Sequence, residues 1–134
     1  MDEDKIQARR REQDEEATKR RAAILGFQYI DTREFEKDLP LVKGVLENSQ
    51  MYKGRIVPLA VGEEDQSYRF GITSQTPQSL VQKMDSEYRD EGKTTQFFLI
   101  SGSGFRSLMM RYEPPKQVIY DDIEIAREGD SETL

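Results

Sequence analysis

The sequence contains no cysteine and no histidine among its 134 residues. These absences exclude disulfides, zinc sites built on thiolate or imidazole, haem ligation, iron–sulfur clusters and hydrolysis by a Ser-His-Asp or Cys-His arrangement. Long apolar runs are also missing: the longest, such as Phe97 to Ile100, have four residues, whereas a membrane span requires about 18. Because the N-terminal segment also lacks the apolar core of a signal peptide, we expect a cytoplasmic protein.

Charge is abundant and unevenly balanced along the chain. Charged residues make up 34% and hydrophobic residues 35% of the sequence, and the mean hydropathy is -0.81, which indicates one small domain with charged flanks. The net charge of -6 lies mostly in residues 113–134, which hold seven acidic and two basic residues, whereas residues 1–23 hold seven of each. The basic clusters Arg9 to Arg11 and Lys19 to Arg21 alternate with acidic side chains, so we expect no nucleic-acid partner.

Residues 3–23 predict a helix, because they lack glycine and proline and are rich in Glu, Lys, Arg, Gln and Ala. The first four turns carry no apolar stripe, so we expect this charged helix to be solvated and to fray, or to dock on a partner. Ile24, Leu25 and Phe27 are predicted to be buried where the helix meets the rest of the fold. The candidate partner-docking side chains are Arg9, Arg10, Arg11, Arg20 and Arg21.

Helical and strand patterns alternate after the charged helix. The predicted elements are a strand at 27–30, a helix from Asp38 to Leu46, strands at 55–61 and 68–73, a helix from Pro77 to Gly92, a strand at 95–101 and a helix that buries Phe105, Leu108, Met109 and Tyr112. The polar turn GEEDQS joins the first two long strands as a hairpin. Pro58 lies inside the first of them, so we expect this strand to lie at a sheet edge or to bend there.

This order predicts an α/β (α+β) domain, with a small mixed sheet of about four strands and three to four helices, preceded by the charged helix. The unit from Tyr68 to Ser101 fits a right-handed crossover that makes its two strands parallel, with helices over one face of the sheet. The predicted limits are a charged helical extension at 1–16, the folded domain at 17–112 and an acidic linker or tail at 113–134.

The candidate catalytic features are few. The stretch ISGSGFRS at 100–107 follows a strand and opens a helix, where backbone N–H groups can hold a phosphate, but it lacks the lysine of a P-loop. We therefore interpret Gly102 and Gly104 as a tight strand-to-helix turn. The pairs Glu63–Glu64 and Asp121–Asp122 are expected to be solvated, so we predict no catalytic residue, no metal ligand and no bound cofactor.

Four segments resemble a known family when they are taken together. They are ATKRRAAILGFQYIDT, DLPLVKGVLENSQMYKGRIVPLAV, YRFGITSQTPQSLVQKM and FFLISGSGFRSLMMRY, within about 96 residues at 17–112. Their order resembles the N-terminal domain of type II secretion and type IV pilus assembly ATPases. The matching positions are Ala22, Ala23, Leu25, Gly26, Tyr29, Asp31, Leu41, Val45, Tyr52, Val57, Pro58, Leu59, Pro77, Leu80, Ser101, Arg111 and Tyr112. Thr76 stands where the family commonly has aspartate.

The resemblance implies a non-catalytic adaptor that docks a secretion or pilus motor to the cytoplasmic part of its inner-membrane platform protein. ATP and Mg would then bind in a motor domain downstream, the parent protein would be a homo-hexamer, and its contact with the membrane would be indirect. The alternative is a nucleotide-sensing domain with an anion site such as Gly102 to Arg106, although residues 1–21 lack the family's cyclic di-GMP motifs. A third possibility is a small enzyme that uses only carboxylates, lysine or tyrosine, with or without a hard metal ion.

Overall fold

A computed structural model describes residues 2–114, which form four α-helices and four strands. The elements are α1 (Asp2–Leu25), β1 (Gln28–Tyr29), α2 (Asn48–Gly54), β2 (Ile56–Val61), β3 (Ser67–Ile72), α3 (Gln78–Asp90), β4 (Thr94–Leu99) and α4 (Gly102–Tyr112). Their order is the predicted one, and the predicted α/β class is confirmed. Most of the predicted acidic tail, including Asp121 and Asp122, lies outside the described residues.

The four strands form one mixed sheet in the order β1-β4-β3-β2. Strands β2 and β3 are antiparallel, as the hairpin predicts, and β3 pairs in parallel with β4 across the crossover helix α3. Strand β1 is short and pairs in parallel with β4 on its other side. The prediction from Pro58 is confirmed, because β2 is an edge strand and its register shifts between Pro58 and Ala60.

Helices cover both faces of the sheet, so the prediction of one covered face is wrong. On one face, Leu99 of β4 belongs to a core cluster with Met84 of α3. On the other face, Phe98 belongs to a cluster with Phe105 and Leu108 of α4. The physical reason is the apolar run at 97–100, because alternate residues of a strand point to opposite faces and both faces here are apolar.

The predicted burial at the end of α1 is wrong for Ile24 and Leu25, whose exposed fractions are 83% and 51%. Ala22 is the buried residue at this end of the helix, and Phe27 is half-buried against the same cluster. An α-helix turns by about 100° per residue, so burying Ala22 directs Ile24 to the opposite side. Gly26 ends the helix with a φ of 83°, and its amide bonds to the carbonyl of Ala22.

The segment between β1 and β2 contains a helix at a later position than predicted. Residues 38–46 are irregular, a short 3-10 turn occupies Thr32–Glu34, and α2 begins only after Glu47, whose side chain forms a capping box with Gln50. Gly44 has a φ of 85°, which an α-helix does not tolerate. Val45 and Leu46 still pack against the core, so these two apolar residues contribute to it although they are not helical.

Helix α1 is continuous across the predicted domain boundary between residues 16 and 17. Its side chains contact the body from Arg11 onward, so the folded unit begins before the predicted limit. Within residues 2–114, none of the helices combines the length and the apolar character that a membrane crossing requires.

Two leucines test this assignment of the core. Leu108→Ala should lower the free energy of unfolding by about 2 to 5 kcal/mol, because Leu108 is fully buried and truncation leaves a cavity. Leu25→Ala should cost less than about 1 kcal/mol, because half of that side chain already contacts solvent. Urea titration followed by circular dichroism measures both values, and equal losses would contradict the assigned end of α1.

Candidate functional site

Helix α1 docks on the body through a polar stripe. The inward residues are Arg11, Asp14, Glu15, Thr18 and Ala22, which recur at intervals of three and four and so lie on one helix face. Only Ala22 is apolar, which is why a search for an apolar stripe predicts a solvated helix. The prediction that the first four turns of the charged helix have no contact with the body is therefore wrong from Arg11 onward.

Glu15 is the centre of this stripe and is only 2% exposed. Its carboxylate accepts hydrogen bonds from Arg11 Nε at 2.7 Å, from the Tyr29 hydroxyl at 2.5 Å and from Ser101 Oγ at 2.6 Å. A buried carboxylate is stable only when it is paired and hydrogen-bonded, and these three donors meet that need. They join α1 to β1 and to the residue that precedes α4.

Arg11 extends the network to the 3-10 turn. Its guanidinium donates to Glu36 at 2.8 Å and to Thr32 Oγ1 at 3.1 Å. Burial favours a raised pKa for the Glu36 carboxyl, but the hydrogen bonds from Arg11 and Thr32 outweigh it and the pKa is lowered. Burial and the hydrogen bond to Glu15 raise the pKa of Tyr29, so its hydroxyl stays protonated and donates. We call these hydrogen-bonded side chains, Arg11, Glu15, Tyr29, Thr32, Glu36 and Ser101, the α1 network.

The start of α4 is fastened to α1 as well. Ser101 caps the helix by accepting from the Gly104 amide at 2.8 Å, while Asp14 accepts from the amide and the hydroxyl of Ser103 at 3.1 and 2.6 Å. A Cβ on Gly104 would lie 2.3 Å from Thr32 Oγ1, so only glycine permits this approach. The predicted tight turn from strand to helix is confirmed, and packing against Thr32 requires its glycine at position 104.

The five predicted docking arginines have different environments. Arg9, Arg10, Arg20 and Arg21 are exposed. Arg11 is half-buried and forms ion pairs with Glu15 and Glu36, so the expectation that it is an exposed charge is wrong. Reversing its charge would break the α1 network, which is a structural effect and not a test of docking.

A polar crevice of about 360 Å³ lies beside the start of α4, and we call it the arginine crevice. Three arginines line it, namely Arg21 of α1, Arg55 after α2 and Arg106 of α4. Its remaining lining residues are Asp14, Thr18, Thr73, Ser74, Gln75, Ile100, Gly102 and Phe105. The sequence indicates a candidate anion site at Gly102 to Arg106 and a surface charge at Arg21. No sequence pattern indicates that Arg55 lies beside them.

A larger groove of about 670 Å³ lies between α2 and α3. It is mainly apolar, with Leu46, Ile56, Leu80 and Met84 in its lining, and Lys53 and Lys83 also border it. The acidic pair Glu63–Glu64 lies elsewhere, in the exposed turn between β2 and β3, as predicted. Within residues 2–114, no three carboxylates lie close enough together to hold a metal ion.

No family model, curated protein or solved structure matches this chain. The resemblance to secretion and pilus ATPases thus remains a prediction from the sequence pattern. The α1 network consists of satisfied hydrogen bonds, whereas the arginine crevice is lined by three arginines and one aspartate.

The α1 network predicts a large difference between two neighbouring glutamates. Glu15→Ala should lower the free energy of unfolding by about 3 kcal/mol, because it leaves Arg11, Tyr29 and Ser101 without their shared acceptor. The matched control Glu16→Ala removes an exposed carboxylate from the same helix and should change stability by less than about 0.5 kcal/mol. Chemical denaturation measures both, and a harmless Glu15→Ala would contradict the network.

The lowered pKa of Glu36 predicts an acid-sensitive contribution to stability. A carboxyl whose pKa is lower in the folded state stabilises the fold when the pH is above the ordinary pKa of 4.5. This contribution is lost as the pH falls through the folded-state pKa. The stability difference between the wild type and Glu36→Gln should therefore shrink between about pH 6 and about pH 3. The control Glu34→Gln, at an exposed carboxyl, should show no such trend.

Proposed function

We propose that this chain is the non-catalytic N-terminal adaptor of a type II secretion or type IV pilus assembly ATPase. It docks the motor to the cytoplasmic side of the inner-membrane assembly platform. The observation that carries the proposal is the geometry of α1, whose inner face is fixed by the α1 network while its other side remains open to a partner. The resemblance at 17–112 supplies the class of motor.

The outer side of α1 combines basic and apolar side chains. At about 100° per residue, Arg9, Arg20 and Ile24 lie on the side opposite Glu15, and all three are exposed. Arg10 borders this side and is also exposed. We call these four residues the outer face of α1. A 24-residue helix is about 36 Å long, so it presents this face as an extended rod.

An acidic surface with an apolar pocket complements this outer face. Arginine side chains attract an acidic partner over a distance, and an exposed isoleucine at the end of the helix adds apolar area to the contact. We assign this surface to the cytoplasmic domain of the platform protein. The adaptor then meets the membrane only through that partner, and the motor that binds ATP and Mg assembles as a hexamer downstream.

A nucleotide-sensing domain is the second candidate function, and one observation favours it. The arginine crevice joins Arg21, Arg55 and Arg106 beside the glycine-containing start of α4. This is the kind of anion site that such a function requires.

A charge reversal tests the adaptor proposal without disturbing the α1 network. The variant Arg9→Glu/Arg10→Glu/Arg20→Glu should weaken binding to the purified platform domain about tenfold or more, and more strongly at low salt than at high salt. Its melting temperature should stay within about 3 °C of the wild type, because exposed charges contribute little to stability. Surface plasmon resonance and differential scanning fluorimetry provide these two measurements.

The matched control reverses three exposed basic residues of the body, Lys43, Arg69 and Lys83. It makes the same change in net charge and should leave platform binding within about twofold of the wild type. Unchanged binding in the α1 variant, together with lost binding in the control, would contradict docking through α1 and move the partner to the body.

A further inference from the structure

We propose that the arginine crevice binds a small ligand through its phosphate groups. Arg21, Arg55 and Arg106 approach this crevice from three separate parts of the fold. Asp14 is the only carboxylate in the lining, so the crevice has a net charge of +2. The proposal is independent of the docking of α1 on a platform protein.

The charges of the crevice are not compensated by ion pairs. Among residues 2–114, none of the three arginines forms a salt bridge, whereas Arg11 and Arg33 each form two. The carboxylate of Asp14 accepts hydrogen bonds from the amide and the hydroxyl of Ser103. Guanidinium groups that share one crevice repel each other, and an anion with two or more negative charges relieves that repulsion.

The position of the crevice in the fold also favours an anion. It lies past the carboxyl ends of the parallel strands β3 and β4, which is where ligands bind in open α/β sheets. The start of α4 contributes the positive end of a helix dipole. A Cβ on Gly102 would lie 3.6 Å from Nη1 of Arg106, so this guanidinium lies directly beside the first residue of the helix.

Arg55 has a backbone conformation that is unusual for its residue type. It caps α2 with a φ of 54° and a ψ of 49°, in the left-handed region where glycine is the usual residue. Its guanidinium carbon lies 6.0 Å from the centre of the Phe105 ring. This cation–π contact holds the Arg55 side chain near the N-terminal end of α4. A residue with a strained backbone thus lines the crevice. Because such strain is found at functional sites, we assign the Arg55 side chain a role in this crevice.

The size and the donors of the crevice select the ligand class. A volume of about 360 Å³ admits an inorganic phosphate, a pyrophosphate or part of a nucleotide. Guanidinium groups bind phosphate oxygens in a bidentate manner, and the hydroxyls of Thr73 and Ser74 add further hydrogen-bonding groups. The shared chemistry is the phosphate group, and the source of that group is left to the titration.

Isothermal titration calorimetry on the full chain tests the proposal with inorganic phosphate, pyrophosphate, ATP and cyclic di-GMP as separate probes. At least one probe should bind, and Arg106→Gln and Arg21→Gln should each lower its affinity about tenfold or more, as expected for the loss of a charge-assisted hydrogen bond. The control Arg69→Gln removes an exposed arginine outside the crevice and should change the affinity by less than about twofold.

The variant Arg55→Gly separates binding from folding. Glycine accepts the left-handed conformation at this position, so the melting temperature should be retained or raised while the affinity falls. Equal affinities for pyrophosphate and the nucleotides indicate a phosphate site, whereas a tenfold preference for one nucleotide indicates a nucleotide site, and both outcomes support the proposal. Absence of binding up to about 1 mM for all four probes, or equal affinity losses in Arg106→Gln and Arg69→Gln, would overturn it.

Discussion

The buried carboxylate of Glu15 is the interaction on which the arrangement of this domain depends. Ala22 is the one apolar side chain among the five inward residues of α1, so the helix gains little by burying apolar area and is fixed by directed hydrogen bonds. These bonds determine the rotation and the axial position of the helix, because Glu15 meets its two donors from outside the helix, Tyr29 and Ser101, in one register only. Through Ser101 and Asp14 the same register fixes the start of α4, and thus the shape of the arginine crevice.

The parts of the fold that the sequence predicts are those in which an apolar pattern coincides with a clear boundary residue. The run at 97–100, the turn before β3 and Pro77 each specify an element by local chemistry, and these elements are present. The predicted position of the second helix is wrong because residues 38–46 are apolar enough for a helix. Three features hold this segment in an irregular path: the positive φ of Gly44, the hydrogen bond from Arg111 to the carbonyl of Leu39, and the hydrogen bond that the amide of Val42 donates to the Tyr112 hydroxyl. Tertiary contacts thus override the local pattern.

The residues of the candidate sites also fall into two groups, those that a local sequence pattern predicts and those that only tertiary contacts bring together. Arg21 and the residues at 102–106 are recognisable in the sequence, since they are basic or follow a strand in a glycine-containing turn. Arg55 joins them only through the packing of α2 against α4, a contact between residues about 50 positions apart that no local pattern encodes. The inward role of Arg11 was equally hidden, because its partner Glu36 lies on another element.

The sheet edges have a consequence for how this chain behaves at high concentration. Strand β2 leaves one side unpaired, yet Pro58 has no amide hydrogen to offer there and the register shift at the next residue distorts the ladder. The opposite edge, β1, is only two residues long. Neither border is therefore a good template for an incoming strand, so the domain is protected from the edge-to-edge aggregation that longer and flatter sheets undergo.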